Sequence, residues 1–276
     1  MPTVKVGDIS IYYEIHGKGE PLLLIMGYGQ NSGHWFSQIP GLSQEYRVVA
    51  FDNRGTGRSD KPDVPYTMQM LAEDVSGLLE ALAIDAAHVY GVSMGGMIAQ
   101  ELALRYPDKV ISLILGCTTP GGPNSILADA ETLNFLFDTD RRKRLTQEED
   151  ARETLPYLFT QEFMDKNPKL MDAVVASMLE YDVTPIHGYQ RQGEAIMRFN
   201  AYARLTEIKV PTLVIAGTAD RLIPVENSRL LASRIPDAEL VILEDVGHGF
   251  FTEALEEASK AVLDFLGRHS RPRWAM

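Results

Sequence analysis

The segment Ala-Ala-His-Val-Tyr-Gly-Val-Ser-Met-Gly-Gly-Met occupies residues 86–97. It contains Gly-x-Ser-x-Gly as Gly91, Ser93 and Gly95, with an apolar run before it and a helical pattern after it. A serine on a sharp turn between strand and helix requires small neighbours, because a Cβ would clash with the facing backbone. The following helix N-terminus places amide donors and a positive dipole end near the hydroxyl. The segment therefore predicts a nucleophilic serine at Ser93.

A serine hydroxyl is a poor nucleophile until a histidine takes its proton, and a carboxylate must hold that histidine. Asp220 lies in a loop after the apolar run 212–216, and His248 lies between two glycines after the run 239–243. The order Ser93, Asp220, His248 is a known nucleophile–acid–base order. Asp245 is the rival acid, but it precedes His248 too closely along the chain to approach the ring from behind. We therefore predict Asp220 as the catalytic acid and His248 as the general base.

With these residues the chain resembles the α/β-hydrolase superfamily from about residue 3 to 268. Four motifs match together: the Gly91–Gly95 turn, the Asp220 loop, the Gly247-His248 loop, and Asp-Asn-Arg-Gly-Thr-Gly-Arg-Ser at 52–59. The nearest types look like the small esterases, enol-lactonases and methylesterases with Ser-Met-Gly-Gly turns. The resemblance implies a cofactor-free serine hydrolase that cleaves a carboxylic ester or lactone.

The resemblance also implies an oxyanion hole made of two backbone amides. One is Met94, directly after the nucleophile, and the other is Tyr28, in the loop after the Leu22–Met26 strand. Relatives often carry His-Gly-x in that loop, and x donates its amide. Here Met26 stands at the histidine position. The oxyanion donor is a backbone amide and does not depend on that side chain, but the way in which the loop is held in place does.

Short, unalternating apolar runs are typical of strands buried on both faces. Separated by helical patterns, they predict a mostly parallel sheet with helices on both faces. The alternation breaks from 121 to 206, where helical patterns but no convincing strand occur. We therefore predict an α/β-hydrolase core at 1–120 and 207–276, with a helical cap at 121–206 after the sixth strand. The predicted strands are 4–13 as a hairpin, 22–26, 48–51, 88–90, 111–115, 213–216 and 240–243, and the predicted core helices are 68–83, 95–106, 225–235 and 253–266.

Side chains that contact substrate are less visible in the sequence than the catalytic groups. His34 follows the first loop closely and can line the site, although a surface or core position is the more ordinary reading. The cap is rich in large apolar side chains, of which Phe135, Tyr157 and Met178 are candidates for substrate binding. The basic run Arg141–Arg144 is interpreted as a solvated face.

Composition excludes several classes of function. The net charge is −12 and no basic run supplies phosphate contacts, so no nucleic-acid partner is predicted, and an anionic membrane surface is disfavoured. No cluster has metal-ligand spacing, so no metal is predicted. The single cysteine, Cys117, is expected to pack in the core, and it permits a reducing compartment, which favours a cytoplasmic location. The expected partner is a small-molecule ester or lactone, and the oligomeric state is unreadable from the sequence.

Three alternatives to ester or lactone hydrolysis remain open at this stage. A carbon–carbon bond hydrolase for dienoic diketones uses a similar triad, although such enzymes often carry tryptophan after the histidine, where this chain has Gly249 and Phe250. A perhydrolase would also use the triad. A ligand receptor on this fold, with little turnover, would retain the same residues. Sustained turnover of a simple ester would separate an enzyme from a receptor.

Overall fold

A computed structural model describes residues 2–179 and 184–270 of the chain. Its described elements are strands β1 (Thr3–Val6), β2 (Ile9–His16), β3 (Pro21–Ile25), β4 (Arg47–Phe51), β5 (Ala87–Val92), β6 (Val110–Gly116), β7 (Thr212–Gly217) and β8 (Glu239–Leu243). The α-helices are α1 (Ile39–Leu42), α2 (Met68–Ala81), α3 (Met94–Arg105), α4 (Ala130–Phe137), α5 (Thr139–Arg144), α6 (Gln147–Leu158), α7 (Gln161–Lys166), α8 (Pro168–Leu179), α9 (Ile186–Arg198), α10 (Glu226–Arg234), α11 (Phe250–Glu253) and α12 (Leu255–His269).

The strands form one eight-stranded sheet in the order β1-β2-β4-β3-β5-β6-β7-β8. The opening hairpin is antiparallel, β2 also pairs antiparallel with β4, and the strands from β4 through β8 pair in parallel. The predicted mostly parallel sheet is confirmed. One expectation is wrong: β8 is not buried on both faces, because it is the edge strand and its side chains are exposed or half-buried.

Helices cover both faces of the sheet, as predicted. Residues of α2, α3 and α10 pack on one face, and residues of α1, α11 and α12 pack on the other. Two of the predicted helices differ from the observed ones by more than one residue. Helix α2 ends before Ala83, whose φ of 52° is left-handed and incompatible with continuing the helix. The last predicted helix, 253–266, corresponds to α12, which begins at Leu255 and continues to His269, and the short helix α11 precedes it.

Helices α4–α9 lie between β6 and β7, where the sequence predicts a helical cap. They have an apolar cluster of their own, which includes Leu155, Leu158, Met171 and Val174. Local signals place the ends of these helices: the Thr146 hydroxyl accepts from the Glu149 amide, and the Glu149 carboxylate accepts from the Thr146 amide, which is a capping box at the start of α6. Within residues 2–179 and 184–270, no helix is long and apolar enough to cross a membrane.

The turn after β5 gives the first testable consequence of the packing. A Cβ built on Gly95 would lie 2.1 Å from the backbone oxygen of Ile25, whereas one built on Gly267 would meet nothing within 4 Å. We expect Gly95→Ala to lower the free energy of unfolding by about 1–3 kcal/mol or more, because backbone cannot yield as a side chain can. Gly267→Ala, in α12, is the matched control and is expected to raise that free energy by less than about 1 kcal/mol. Urea denaturation measures both, and an unchanged midpoint for Gly95→Ala would contradict this packing.

Candidate active site

Ser93 occupies the junction between β5 and α3. Its φ of 56° is left-handed, an uncommon conformation for a residue with a Cβ, and its amide donates to the Gly116 oxygen at 2.9 Å. Small neighbours make the turn possible, since a Cβ on Gly91 would lie 2.3 Å from the Gly95 oxygen. The strained conformation persists because β6 and the start of α3 hold it from both sides.

The imidazole of His248 is held by Asp220. Its Nδ1 lies 2.7 Å from Asp220 Oδ2, and both residues are buried. The other oxygen of the carboxylate, Oδ1, accepts from the amides of Leu222 and Ile223 at 2.8 and 2.9 Å. The rival carboxylate, Asp245, is exposed, and its amide donates to Thr218 Oγ1. The structure therefore pairs His248 with the acid that the sequence favours.

The pKa of His248 is set by opposing effects. Burial, the largest single effect, favours the neutral imidazole, but the charge and hydrogen bond of Asp220, together with the contact to Cys117, raise the pKa of His248 well above its usual value. The imidazole of His248 carries a proton on Nδ1, because Asp220 accepts a hydrogen bond there. The Nε2 atom is left to exchange a proton with another group.

Cys117 lies beside that second nitrogen. Its Sγ is 3.8 Å from His248 Nε2, and its φ of 38° turns the chain at the end of β6. Burial raises the pKa of the Cys117 thiol, so the thiol is neutral and a weak hydrogen-bond partner. Cys117 is buried, as the sequence predicts, but the contact with His248 is not visible in the sequence.

The donor atoms of Cys117, Asp220 and His248 all lie within 4.8 Å of one another, which is close enough to hold a metal ion. Metal binding would require the Cys117 thiolate. The thiol is neutral here and His248 Nδ1 is engaged by Asp220. The chemistry of this donor set therefore fits a hydrogen-bonded acid–base pair better than a metal centre.

The loop after β3 lies directly against Ser93. A Cβ on Gly27 would be 3.1 Å from the Ser93 Cβ, so the next residue, Tyr28, is adjacent to the nucleophile position. Among the described residues, no acceptor takes a hydrogen bond from the amides of Tyr28 or Met94. Both amides are therefore available to an oxyanion.

The bracing of this loop answers the question that Met26 raised. The side chain of Asn53 donates to the Met26 oxygen at 2.9 Å, and Gln192 on α9 accepts from the Gly29 amide at 2.9 Å. Gln192 also donates to the Arg54 oxygen, so one buried side chain links the loop to the cap. Backbone–side-chain bonds from Asn53 and Gln192 therefore hold the loop in place without a histidine at position 26.

Asp52 holds the neighbouring segment in place through two backbone amides. Its two carboxylate oxygens accept from the amides of Ser32 and Arg58, both at 2.7 Å. Burial raises the pKa of Asp52, while these two amide bonds oppose that shift. Arg54 does not join this contact, since its guanidinium pairs with Asp74 and Asp8.

In the described part of the chain, three cavities are lined by Ser93, and two of them are much larger than the third. The first, of about 130 Å³, is lined by Ser93 and His248, and we call it the polar cavity because Arg142 and Asp150 also line it. The second, of about 140 Å³, is lined by Ser93 and Met94 but not by His248, and we call it the apolar cavity. Tyr28 lines both. Side chains that give the apolar cavity its character are Met97, Leu133, Phe137 and Ile196.

The structure brings all four predicted substrate-binding residues to the polar cavity: His34, Phe135, Tyr157 and Met178 line its wall. The rings of Phe135 and Tyr157 stack with centroids 3.9 Å apart. Burial lowers the pKa of His34 to about 4, although its hydrogen bond with the Asn31 backbone opposes the shift. His34 is therefore neutral near pH 7, and the more ordinary reading of it as a surface or core residue is incomplete.

The basic run 141–144 is not uniformly solvated, so that interpretation is wrong for two of its members. The side chains of Arg141 and Arg142 are only 14% and 8% exposed, and both bind Asp150. Helix α5 packs against α9 and brings Arg142 over the ring of Tyr189. Sequence reasoning missed this site because its partners come from three different helices of the cap.

A parallel sheet that presents a serine, a histidine and an aspartate at the carboxyl ends of its strands defines the α/β-hydrolase class. The chain belongs to the alpha/beta hydrolase fold family, whose pattern matches residues 20–255.

Relatives share this chain's whole length. The RutD protein of Azorhizobium caulinodans, named as a proposed carbamate hydrolase, is 32% identical over 97% of this chain and 98% of its own. The poly(3-hydroxyalkanoate) depolymerase of Ectopseudomonas oleovorans is 32% identical over 96% and 91% of the two chains. The enol-lactonase structure from Burkholderia xenovorans has a TM-score of 0.85 and 30% identity, covering 96% of this chain and 100% of that one.

Proposed function

We propose that this hydrolase cleaves a carboxylic ester or lactone through an acyl-enzyme intermediate on Ser93. The observation that carries the proposal is one arrangement: His248 is hydrogen-bonded to Asp220 at 2.7 Å and shares a cavity with a serine on a strained strand-to-helix turn. Such an arrangement supplies a nucleophile, a base and an acid that orients the base. No metal or cofactor is invoked, and we infer a cytoplasmic location from the single cysteine.

In the first half of the reaction, Ser93 Oγ attacks the carbonyl carbon as His248 Nε2 accepts its proton. Asp220 stabilises the imidazolium that forms. The amides of Tyr28 and Met94 hold the oxyanion, because both residues are next to Ser93 and their amides have no competing acceptor among the described residues. His248 then gives the proton to the departing alkoxide as the carbon–oxygen bond breaks.

In the second half, water attacks the acyl-enzyme while His248 accepts one of its protons. A third cavity, of about 30 Å³, is lined by Ser93, His248, His34 and Thr252. Its volume exceeds the roughly 10–15 Å³ that one water requires, and its lining offers polar partners. This cavity provides a place from which water can reach the acyl carbon. Collapse of the tetrahedral species returns the proton to Ser93 and releases the acid.

The positions of the cavities assign the two parts of the substrate. The leaving oxygen must receive its proton from His248, and only the polar cavity of the two has His248 in its wall. The leaving group therefore occupies the polar cavity and the acyl group the apolar one. The apolar cavity reaches the surface at Leu127 and Met197, which are 68% and 70% exposed, so an acyl chain can extend toward solvent.

The relatives support cleavage at an acyl carbon, since by name they act on a lactone, a polyester and a carbamate. Carbamate hydrolysis is the second candidate, favoured by the similarity to RutD over almost the whole chain. A triad and oxyanion hole attack the carbonyl of either group. The apolar cavity of about 140 Å³ favours an ester with an apolar acyl group. Carbon–carbon hydrolysis, perhydrolysis and ligand reception remain outcomes that turnover can reveal.

The experiment for this proposal is a panel of acetyl, butyryl, hexanoyl and octanoyl esters of one alcohol, assayed with a lactone, a carbamate ester and a dienoic diketone. We expect ester turnover with a preference for the longer chains. Leu133→Trp fills the apolar cavity and is expected to lower kcat/KM for octanoyl relative to acetyl ester by about tenfold or more.

Asn134→Trp is the matched control, because Asn134 is exposed on the same helix, α4, and does not line the cavity. It should leave the chain-length ranking unchanged. The account of the acyl cavity fails if both variants alter the ranking equally. The proposed function fails if the wild type turns over only the diketone or the carbamate, or turns over nothing while binding a ligand.

A further inference from the structure

The polar cavity contains a guanidinium with unused donors. Arg142 is 8% exposed at its side chain and lines the cavity together with Ser93 and His248. Its Nη1 donates to Asp150, while its Nε is buried and has no hydrogen-bond partner among the described residues. A buried donor without a partner is costly, and a native site normally supplies one.

The surrounding side chains hold this guanidinium in place. Its central carbon lies 4.2 Å from the centroid of the Tyr189 ring, and the Tyr189 ring meets Tyr28 edge-on at 5.5 Å between centroids. Tyr28 is the residue beside Ser93 in the oxyanion loop. A rigid chain of three side chains therefore connects Arg142 to the reacting centre, as a group that positions a substrate requires.

The charges around Arg142 favour an anion over a cation. Asp150 also lines the cavity, but its two oxygens are already engaged, one by Arg141 and one by Arg142. Arg141 and Arg142 share this carboxylate, and Arg141 also pairs with Glu153, which does not line the cavity. Both oxygens of Asp150 therefore already accept a hydrogen bond, whereas Arg142 still has a donor without an acceptor. A planar guanidinium matches a carboxylate through two parallel hydrogen bonds.

We propose that Arg142 binds a carboxylate on the leaving group, so that the substrate is an ester of a hydroxycarboxylic acid with an apolar acyl chain. This inference rests on the proposed ester hydrolysis and on the assignment of the leaving group to the polar cavity. Ser93 attacks the acyl carbon, the bond to the alcohol oxygen breaks, and His248 protonates that oxygen. The hydroxy acid then leaves with its carboxylate still ionised, and water releases the acyl group as a second acid.

The test compares 4-(hexanoyloxy)benzoate with its methyl ester, which has the same reacting centre without the negative charge. We expect the wild type to favour the carboxylate in kcat/KM. A charge-assisted bond of this kind corresponds to a factor of about ten to one hundred, so Arg142→Gln should lower the ratio of the two kcat/KM values by about that factor. Arg142→Lys, which keeps the charge but loses the fork, should fall between them.

Arg141→Gln is the matched control, because Arg141 binds the same carboxylate but does not line the cavity. It should leave the ratio within about threefold of the wild type. A loss of folded enzyme lowers both kcat/KM values equally, so their ratio does not change. Labelling of Ser93 by a fluorophosphonate reports the folded fraction of each variant.

The outcomes separate this inference from the proposed function. If the wild type cleaves neither ester, ester hydrolysis itself is wrong. If it cleaves the methyl ester but shows no preference for the carboxylate, or if Arg142→Gln keeps the preference, the carboxylate site is wrong and ester hydrolysis stands. An equal loss in Arg141→Gln and Arg142→Gln would also overturn the assignment to Arg142, because the effect would then come from releasing Asp150.

Discussion

Replacing Ser93 with alanine is expected to lower kcat for any accepted ester by roughly 10⁴- to 10⁶-fold, with the fold retained. The reason is that the acyl-enzyme path ends when the nucleophilic oxygen is removed, and only the oxyanion hole and binding remain. Steady-state turnover of the best ester in the panel measures the loss. Thermal unfolding of the variant checks that the structure persists.

Cys117 supplies the control for this variant. Its sulfur lies 3.8 Å from His248 Nε2, so a second nucleophilic side chain lies beside the base. The double variant Ser93→Ala with Cys117→Ala removes both. Residual turnover that disappears in the double variant would come from Cys117. Turnover of Ser93→Ala close to the wild-type rate would show that Ser93 is not the nucleophile.

Asp220→Asn is expected to lower kcat by roughly 10²- to 10⁴-fold, because the imidazole loses both its charge partner and its correct tautomer. It should also change the pH profile. The base must be neutral to act, so kcat/KM rises with pH as His248 loses its proton, and the raised pKa of His248 places that limb above pH 6.5. Without the carboxylate, burial dominates and the limb moves to lower pH.

Asp245→Asn is the matched control, since it makes the same chemical change three residues before His248 at an exposed position. Asparagine also tolerates the left-handed φ of 57° at that position. We expect activity within about threefold of the wild type and an unmoved acidic limb. If Asp245→Asn instead is the crippling change, the assignment of the acid to Asp220 is wrong.

The sequence predicts the sheet and the candidate catalytic groups because their signals are local. The glycines around Ser93 are required by a clash within a few residues, and the loops that carry Asp220 and His248 follow apolar runs directly. Since the carboxyl ends of parallel strands meet at one edge of a sheet, a position directly after such a strand is enough to place each of the three residues at that edge. The burial of β8 was misjudged because an apolar run does not reveal whether its strand is central or at the edge.

The remaining features depend on contacts between distant segments. Gln192 accepts a hydrogen bond from the loop after β3 at a position 163 residues away, and nothing around it in the sequence marks it. Cys117 meets His248 only because β6 ends beside the nucleophile turn and its chain reverses through a left-handed residue. Arg142 belongs to a run of four basic residues, and only the packing of α5 on α9 shows which one faces the cavity.

Active-site labelling with a fluorophosphonate, followed by mass spectrometry of the peptides, identifies the nucleophile of this protein. The account predicts one stoichiometric adduct, on the peptide that contains Ser93. It also predicts slow labelling in Asp220→Asn, because the same imidazole must accept the proton from the serine hydroxyl. An adduct at another residue, or no adduct in folded protein that still turns over ester, would contradict the account.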